Sequence, residues 1–172
     1  SKLDPITRRQ LENGDWSAKG EGTLFKAEWF KYLDQIPSAI PCVRFWDLAA
    51  TEATPGNDPD WTVGVLMGQY NGEFFIKDVR RARRNPGGVE GLVRATAVQD
   101  GPHIPIYIEC EPGSSGKSII SHYARDVLRG FSILGCRSTG DKETRARPLS
   151  AAAFNGLVHI RRADWNSDFM DE

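Results

Sequence analysis

Cysteine and histidine are scarce in this chain. Cys42, Cys110 and Cys136 form an odd, widely spaced set. No Cys-x-x-Cys occurs, which argues against structural zinc and leaves them as reduced small hydrophobes of a cytosolic protein. His103, His122 and His159 are scattered without metal-ligand spacing. There is no Gly-x-Ser-x-Gly elbow and no local Cys/His arrangement, so nucleophilic catalysis has no visible carrier. No apolar run approaches the length of a bilayer span, and no charged segment followed by an apolar stretch opens the chain, so neither a membrane partner nor a secretory signal is expected. Charge of one sign is also missing: 22 basic and 23 acidic residues leave a formal net charge of −1. A nucleic-acid partner would have to use a local basic patch.

What is present is enough for one ordered domain. The 172 residues are 40% hydrophobic and 26% charged, which places the chain with globular proteins and not with disordered ones. Residues 1–41 differ from the rest. They carry turn signals at Asn13-Gly14-Asp15 and Gly20-Glu21-Gly22, then Phe25, Trp29, Phe30 and Leu33 at spacings that cover one face of a short helix. This segment reads as an arm packing on a main domain of residues 42–172. In that domain, residues 43–49, 61–69 and 73–79 read as three strands, the last two joined at Asn71-Gly72, a strong hairpin signal. A helix opening at Gly87-Gly88 follows, with Val89, Leu92, Val93 and Ala97 on its buried face, and then a strand at 104–109. Next come a helix at 118–128, a strand at 131–134 and a helix at 143–154 that Pro148 either delays or kinks. A short edge strand at 157–160 and a final helix from Trp165 close the pattern. The order predicts an α/β fold: a mixed sheet, with an antiparallel three-strand meander plus parallel strands, and helices packed on its faces.

Two acids stand at the ends of apolar runs. Asp47 follows Val43-Arg44-Phe45-Trp46, and Glu109 follows Ile104-Pro105-Ile106-Tyr107-Ile108. A carboxylate within an apolar strand is costly to desolvate unless it is hydrogen-bonded, paired or holding a cation. Two of them point to hard oxygen ligands for Mg²⁺ or Mn²⁺, and to a two-metal site of the kind nucleases use. The competing reading is that Asp47 caps a turn and Glu109 pairs with an arginine. The element order resembles the ribonuclease H-like fold, in which the first strand of the meander lies beside the fourth. Asp47 and Glu109 would then be neighbours.

Glu111-Pro112-Gly113-Ser114-Ser115-Gly116-Lys117-Ser118 invites a phosphate-binding-loop reading, but Glu111 stands where that pattern needs glycine and would repel phosphate. The glycines read instead as a tight turn after Glu109. A nucleotide-binding protein would require ATP binding that depends on Lys117. Ser114, Ser115 and Lys117 remain candidates for touching a nucleic-acid phosphate. Basic residues cluster at Lys77, Arg80, Arg81, Arg83 and Arg84, and again at Arg137, Lys142, Arg145 and Arg147. Such clusters bind polyanions through counterion release.

These stretches together resemble the C-terminal nuclease domain of the large terminase subunit of tailed bacteriophages. The resemblance rests on Leu11-Glu12-Asn13-Gly14-Asp15-Trp16, on Gly22-Thr23-Leu24-Phe25 with Trp29-Phe30, and on Trp46-Asp47-Leu48-Ala49-Ala50-Thr51. It also rests on Asp58-Pro59-Asp60-Trp61-Thr62-Val63-Gly64-Val65, the segment Ile108 to Lys117, Gly140-Asp141-Lys142-Glu143-Thr144-Arg145-Ala146, and Trp165-Asn166. It implies a divalent-metal endonuclease that cuts concatemeric double-stranded DNA during packaging. The implied partners are double-stranded DNA, an ATPase motor domain, a portal and a small terminase subunit, in the host bacterial cytoplasm of a phage or prophage. Asp47 and Glu109 carry over as the first two metal-holding, catalytic acids, with Glu111, beyond the strand end, the weaker substitute. Clustering and position, not the resemblance, make Arg80, Arg81, Arg83, Arg84, Lys117, Lys142 and Arg145 the candidate DNA contacts, with Lys142 or Arg145 either a stabiliser of charge on the scissile phosphate or a surface salt-bridge partner.

The chain departs from the family pattern twice. It has no Walker motif, so it cannot be the motor. The third acidic motif, an Asp pair expected soon after Trp165-Asn166, does not appear before Glu172, and Asp168, Asp171 and Glu172 are poor replacements. The expectation is therefore a metal site empty or half-filled in this chain, weak Mg²⁺ binding and poor cutting. The alternative is a non-catalytic DNA-binding or docking module on the same fold.

Overall fold

The computed structural model describes residues 24–49, 60–110 and 113–171. A single 3-10 turn, Ala27–Trp29, precedes strands β1 (Lys31–Leu33), β2 (Cys42–Asp47), β3 (Thr62–Tyr70) and β4 (Glu73–Ala82). Helix α1 (Pro86–Asp100) leads to β5 (Ile106–Cys110) and α2 (Ser114–His122), which widens into a π-helical turn at Tyr123–Val127. Strand β6 (Ile133–Arg137), helix α3 (Lys142–Phe154), strand β7 (Val158–Arg161) and helix α4 (Asn166–Met170) follow. Among the described residues the strands form one seven-stranded sheet in the order β1-β7-β4-β3-β2-β5-β6.

Local chemistry explains the main elements. Asn71 and Gly72 take φ of 50° and 78°, the left-handed backbone a tight two-residue hairpin requires, and β3 and β4 pair antiparallel on either side. Asn85 caps α1 by accepting the Gly88 amide at 2.8 Å, and Pro86 fills the first helical position, where no amide partner is needed. Asp141 caps α3, accepting the Thr144 amide at 2.7 Å and its hydroxyl at 2.9 Å. The meander β2-β3-β4 is antiparallel, while β2–β5, β5–β6 and β4–β7 are parallel, as the element order predicts.

Two apolar clusters sandwich the sheet. On one face Trp46, Ile106 and Ile108 pack with Val89, Val93 and Ala97 of α1 and with Tyr123, Val127 and Leu128. The other cluster joins Ile76, Val79, Val158 and Ile160 to Ala153 of α3, with Val63, Val65, Trp165 and Phe169 against it. Gly64 lies opposite Trp46, and a β-carbon there would meet the indole at 2.5 Å, so the β2–β3 pairing depends on a glycine.

The structure corrects several boundaries. Phe25 to Leu33 do not form a helix; a 3-10 turn precedes the buried Phe30, and the chain then extends as β1. Apolar spacing alone cannot separate these outcomes, because three residues are too few to show alternation. Pairing of β1 with β7 (Lys31↔His159, Leu33↔Arg161) makes β7 an interior strand, not the edge expected. Helix α2 begins at Ser114, four residues early, which places Gly116 and Lys117 inside its first turn. Pro148 sits within α3 and does not delay its start, which lies at Lys142.

Candidate metal centre at the strand ends

Parallel pairing of β2 and β5 sets Arg44 against Ile106, Phe45 against Tyr107 and Trp46 against Ile108. The next step along both strands is Asp47 beside Glu109. Side chains alternate along a strand. Trp46 and Ile108 enter the α1–α2 core, so Asp47 and Glu109 face the opposite side, that of α3 and α4. Glu109 is also in register with Cys136, Asp47 with Val63, and Val63 with Arg81. The acids therefore stand in one row across five strands. Thr62, fully buried, accepts the Ala49 amide on its hydroxyl at 3.0 Å and pins the chain just past Asp47.

The first turn of α3 faces this row. Arg145 Nη1 donates to Glu109 Oε1 at 2.9 Å. The pairing of Glu109 with an arginine, the competing expectation from sequence, is therefore present in the structure. Asp47 has its pKa raised from the ordinary 3.8, first by desolvation at the crowded strand end and then by the Glu109 charge, with Asp60 adding to it. Lys142 and Arg145 pull the other way. Asp60, just before β3, was not among the acids singled out from the sequence. Its signal is positional: it precedes β3, the antiparallel neighbour of β2, by two residues.

Asp47 itself is exposed, so the picture of a carboxylate sunk in an apolar strand needs correction. The buried charge in that run is Arg44, 1% exposed and not singled out from the sequence. Its guanidinium donates to Asp100 at 2.8 and 2.9 Å, to Asp78 at 2.9 Å and to the Gly64 carbonyl at 3.1 Å. An arginine flanked by alternating apolar residues was the available sign.

The basic cluster after the hairpin divides between the faces. Arg81 shares the acids' face; its guanidinium lies 3.7 Å from the Trp61 ring centroid and 3.8 Å from Asp168. Arg83 also stacks on Trp61, at 4.1 Å. Arg80 lies in register with Gly64 and Trp46 and turns to the other face, where it binds Asp78 and Gln99 at 2.9 Å each. Arg84 is exposed ahead of the α1 cap, and Lys117 is exposed on α2, in the helix layer of the Trp46 face. Glu111, the alternative second acid, lies outside the described residues, as do Leu11 to Trp16, Gly22-Thr23 and Asp58-Pro59.

Two hard carboxylate donors on rigid neighbouring strands suit a divalent ion with oxygen preference. Among the described residues no three His, Cys, Asp or Glu side chains converge closely enough to hold one. The donor set fits half of a metal site. No helix among these residues is long and apolar enough to cross a membrane.

Residues 44–172 match the family described as the terminase RNaseH-like domain. The large terminase nuclease domain of P22 superposes with a TM-score of 0.64 at 15% identity, covering 88% of this chain and 77% of that one. A large terminase from a thermophilic bacteriophage superposes with a TM-score of 0.55 at 12% identity and 80% coverage, and this chain spans 32% of that protein's length. The human cytomegalovirus terminase nuclease domain, Mn-soaked and inhibitor-bound, gives a TM-score of 0.54 at 12% identity, covering 81% of this chain and 75% of that one. At these identities the likeness establishes the fold. None of the curated proteins matches the chain in sequence.

Proposed function

Because the chain belongs to the terminase RNaseH-like domain family, we propose that it is the metal-dependent endonuclease domain of a DNA-packaging large terminase, with Asp47 and Glu109 holding Mg²⁺ or Mn²⁺. Its mixed sheet and flanking helices are the ribonuclease H-like fold of terminase nuclease domains. The substrate in this reading is concatemeric double-stranded DNA. The partners are the ATPase motor domain, portal and small subunit, and the setting is the cytoplasm of an infected or lysogenic bacterium.

The observation that carries the reading is the register: the parallel pairing of β2 and β5 brings Asp47 and Glu109 side by side on one sheet face. A divalent ion bound there would lower the pKa of a water and stabilise charge on the phosphate and its leaving oxygen. The chain's own residues supply orientation. Strands β2 and β5 fix the carboxylates, and Thr62 holds the chain after Asp47. The Asp141 cap fixes the α3 turn that carries Lys142 and Arg145 toward the acids. Arg81 and Arg83, assembled on Trp61, lie along the same end of the sheet and can track a phosphate backbone without reading bases. With two carboxylates side by side among the described residues, the assay belongs at millimolar Mn²⁺.

Nicking of supercoiled plasmid tests this. Asp47→Asn and Glu109→Gln should each lower the Mn²⁺-dependent rate by about a hundredfold. Nicking that survives both substitutions, or persists in excess EDTA, overturns the assignment. The Glu109–Arg145 pair is what a non-catalytic DNA-docking module on this fold would display. That second reading requires DNA binding that is intact in both variants, and no Mn²⁺-dependent nicking in the parent chain.

A further inference from the structure

The two carboxylates meet two cations, and both cations come from one helical turn. Lys142 and Arg145 lie three residues apart at the start of α3, on the same helix face. Lys142 acts on Asp47, and Arg145 binds Glu109 at 2.9 Å. The two cations thus offset part of the negative charge of the acid pair, to which Asp60 adds.

The Arg145 contact differs in kind from that of a structural arginine. It is a single bond, Nη1 to Oε1, beside a weaker attraction to the Asp47 charge. Arg145 is 35% exposed and Glu109 19%. Exposed, single-toothed ion pairs contribute little and break readily. Arg44, by contrast, is held by bonds from three nitrogens and is 1% exposed. Arg145 is thus strong enough to occupy Glu109 and weak enough to leave it. A divalent ion coordinated by Glu109 would stand within a few ångströms of that guanidinium, and like charges at such range repel.

We propose that Arg145 is a placeholder cation: it occupies Glu109 in the metal-free protein, is displaced when a divalent ion binds, and so sets the metal concentration at which the acid pair loads. This rests on the metal-site reading above. By linkage, the metal weakens the Glu109–Arg145 pair by the same factor as the pair weakens the metal. The displaced guanidinium stays on the acids' side of the sheet, beside the place a substrate phosphate would take.

Binding of Mn²⁺ alone to the intact chain, read from the spin-resonance signal of free Mn²⁺, tests the proposal without an activity assay. Arg145→Gln should bind Mn²⁺ about fivefold more tightly than the parent, and Arg145→Lys should fall between them. Arg125→Gln, remote from the acids and paired with Asp126, should match the parent. Glu109→Gln should lose the binding. If Glu109→Gln abolishes binding but Arg145→Gln leaves it unchanged or weaker, the placeholder role is wrong and the metal site stands. If the parent binds no Mn²⁺, or Glu109→Gln binds as the parent does, the metal reading falls and the placeholder role with it. A melting curve in EDTA shows whether Arg145→Gln is folded. If it is not, Arg145→Lys carries the test, and affinity equal to the parent's overturns the proposal.

Discussion

Strand β2 carries two charged residues three positions apart, and the fold treats them in opposite ways. Arg44 is sealed into the Trp46 face and meets two carboxylates and a carbonyl. Asp47 stands at the strand end on the other face, where desolvation first and then the neighbouring Glu109 charge raise its pKa. A buried ion must have its donors or acceptors satisfied, or the domain does not fold. An exposed acid next to another acid contributes nothing to folding and is slightly unfavourable. Arg44 therefore serves the fold, whereas the fold gains nothing from the charge on Asp47.

The first way to break this contrast is to remove Arg44. Arg44→Ala takes from Asp100 the cation that binds it and leaves Asp78 with Arg80 and Arg161, and should cost about 3–5 kcal/mol, read as a lower urea midpoint. A loss below about 1 kcal/mol would mean that the network is loosely built. Arg44→Met, which keeps volume but not charge, should cost less if Asp100 is replaced by Asn in the same chain.

Next in size is the division of the basic cluster. Arg80 and Arg81 are neighbours in sequence but turn to opposite faces. Arg81→Ala with Arg83→Ala should weaken binding of a DNA duplex by about tenfold at low salt and flatten its salt dependence, whereas Arg80→Ala should leave both unchanged. Equal effects from all three would show that DNA is not guided by the acids' face.

Much of this arrangement is legible in the sequence, for a reason that also marks where legibility ends. Alternation and the Asn71-Gly72 turn specify the meander, whereas the expectation of Asp47 beside Glu109 comes from the resemblance to the ribonuclease H-like fold and not from element order alone. Three-residue β1 carries no periodic signal and exists because β7 offers it an open edge. The role of Arg44 depends on Asp78 and Asp100, 34 and 56 residues away, and only tertiary structure brings them together. Arg145 is 36 residues from Glu109, and the sequence showed a basic cluster but not which acid it would meet.

A smaller effect separates Asp47 from the usual surface aspartate. Its folded pKa lies above the ordinary 3.8. The folded state therefore binds that proton more tightly than the unfolded chain does. Stability from this group is present below pH 3.8 and is lost as pH rises through the raised value. Asp47→Asn, unfolded by urea in EDTA, should gain roughly a few tenths of a kcal/mol at neutral pH and nothing in acid below pH 3.8, the small size reflecting solvent screening. A loss of stability at neutral pH would mean that Asp47 is a stabilising cap, and the contrast with Arg44 would dissolve.

His122 separates compensation from burial, because it has the first without the second. Its two ring nitrogens meet Glu90 at 2.8 Å and Asp126 at 3.1 Å, on an exposed surface between α1 and the π-helical turn. The hydrogen bonds to Glu90 and then to Asp126 raise its pKa above 6.5. A histidine raised in this way stabilises the fold fully below pH 6.5, and the contribution disappears as pH climbs through the folded value. Proton NMR should place its titration midpoint above 6.5, and Glu90→Gln should move it back further than Asp126→Asn does. His122→Ala should destabilise slightly at about pH 5.5 and not at about pH 9, with a smaller effect than any change at Arg44. If the two pH values gave the same loss, the residue would matter for packing alone, and charge compensation would count only where water is excluded, as it is around Arg44.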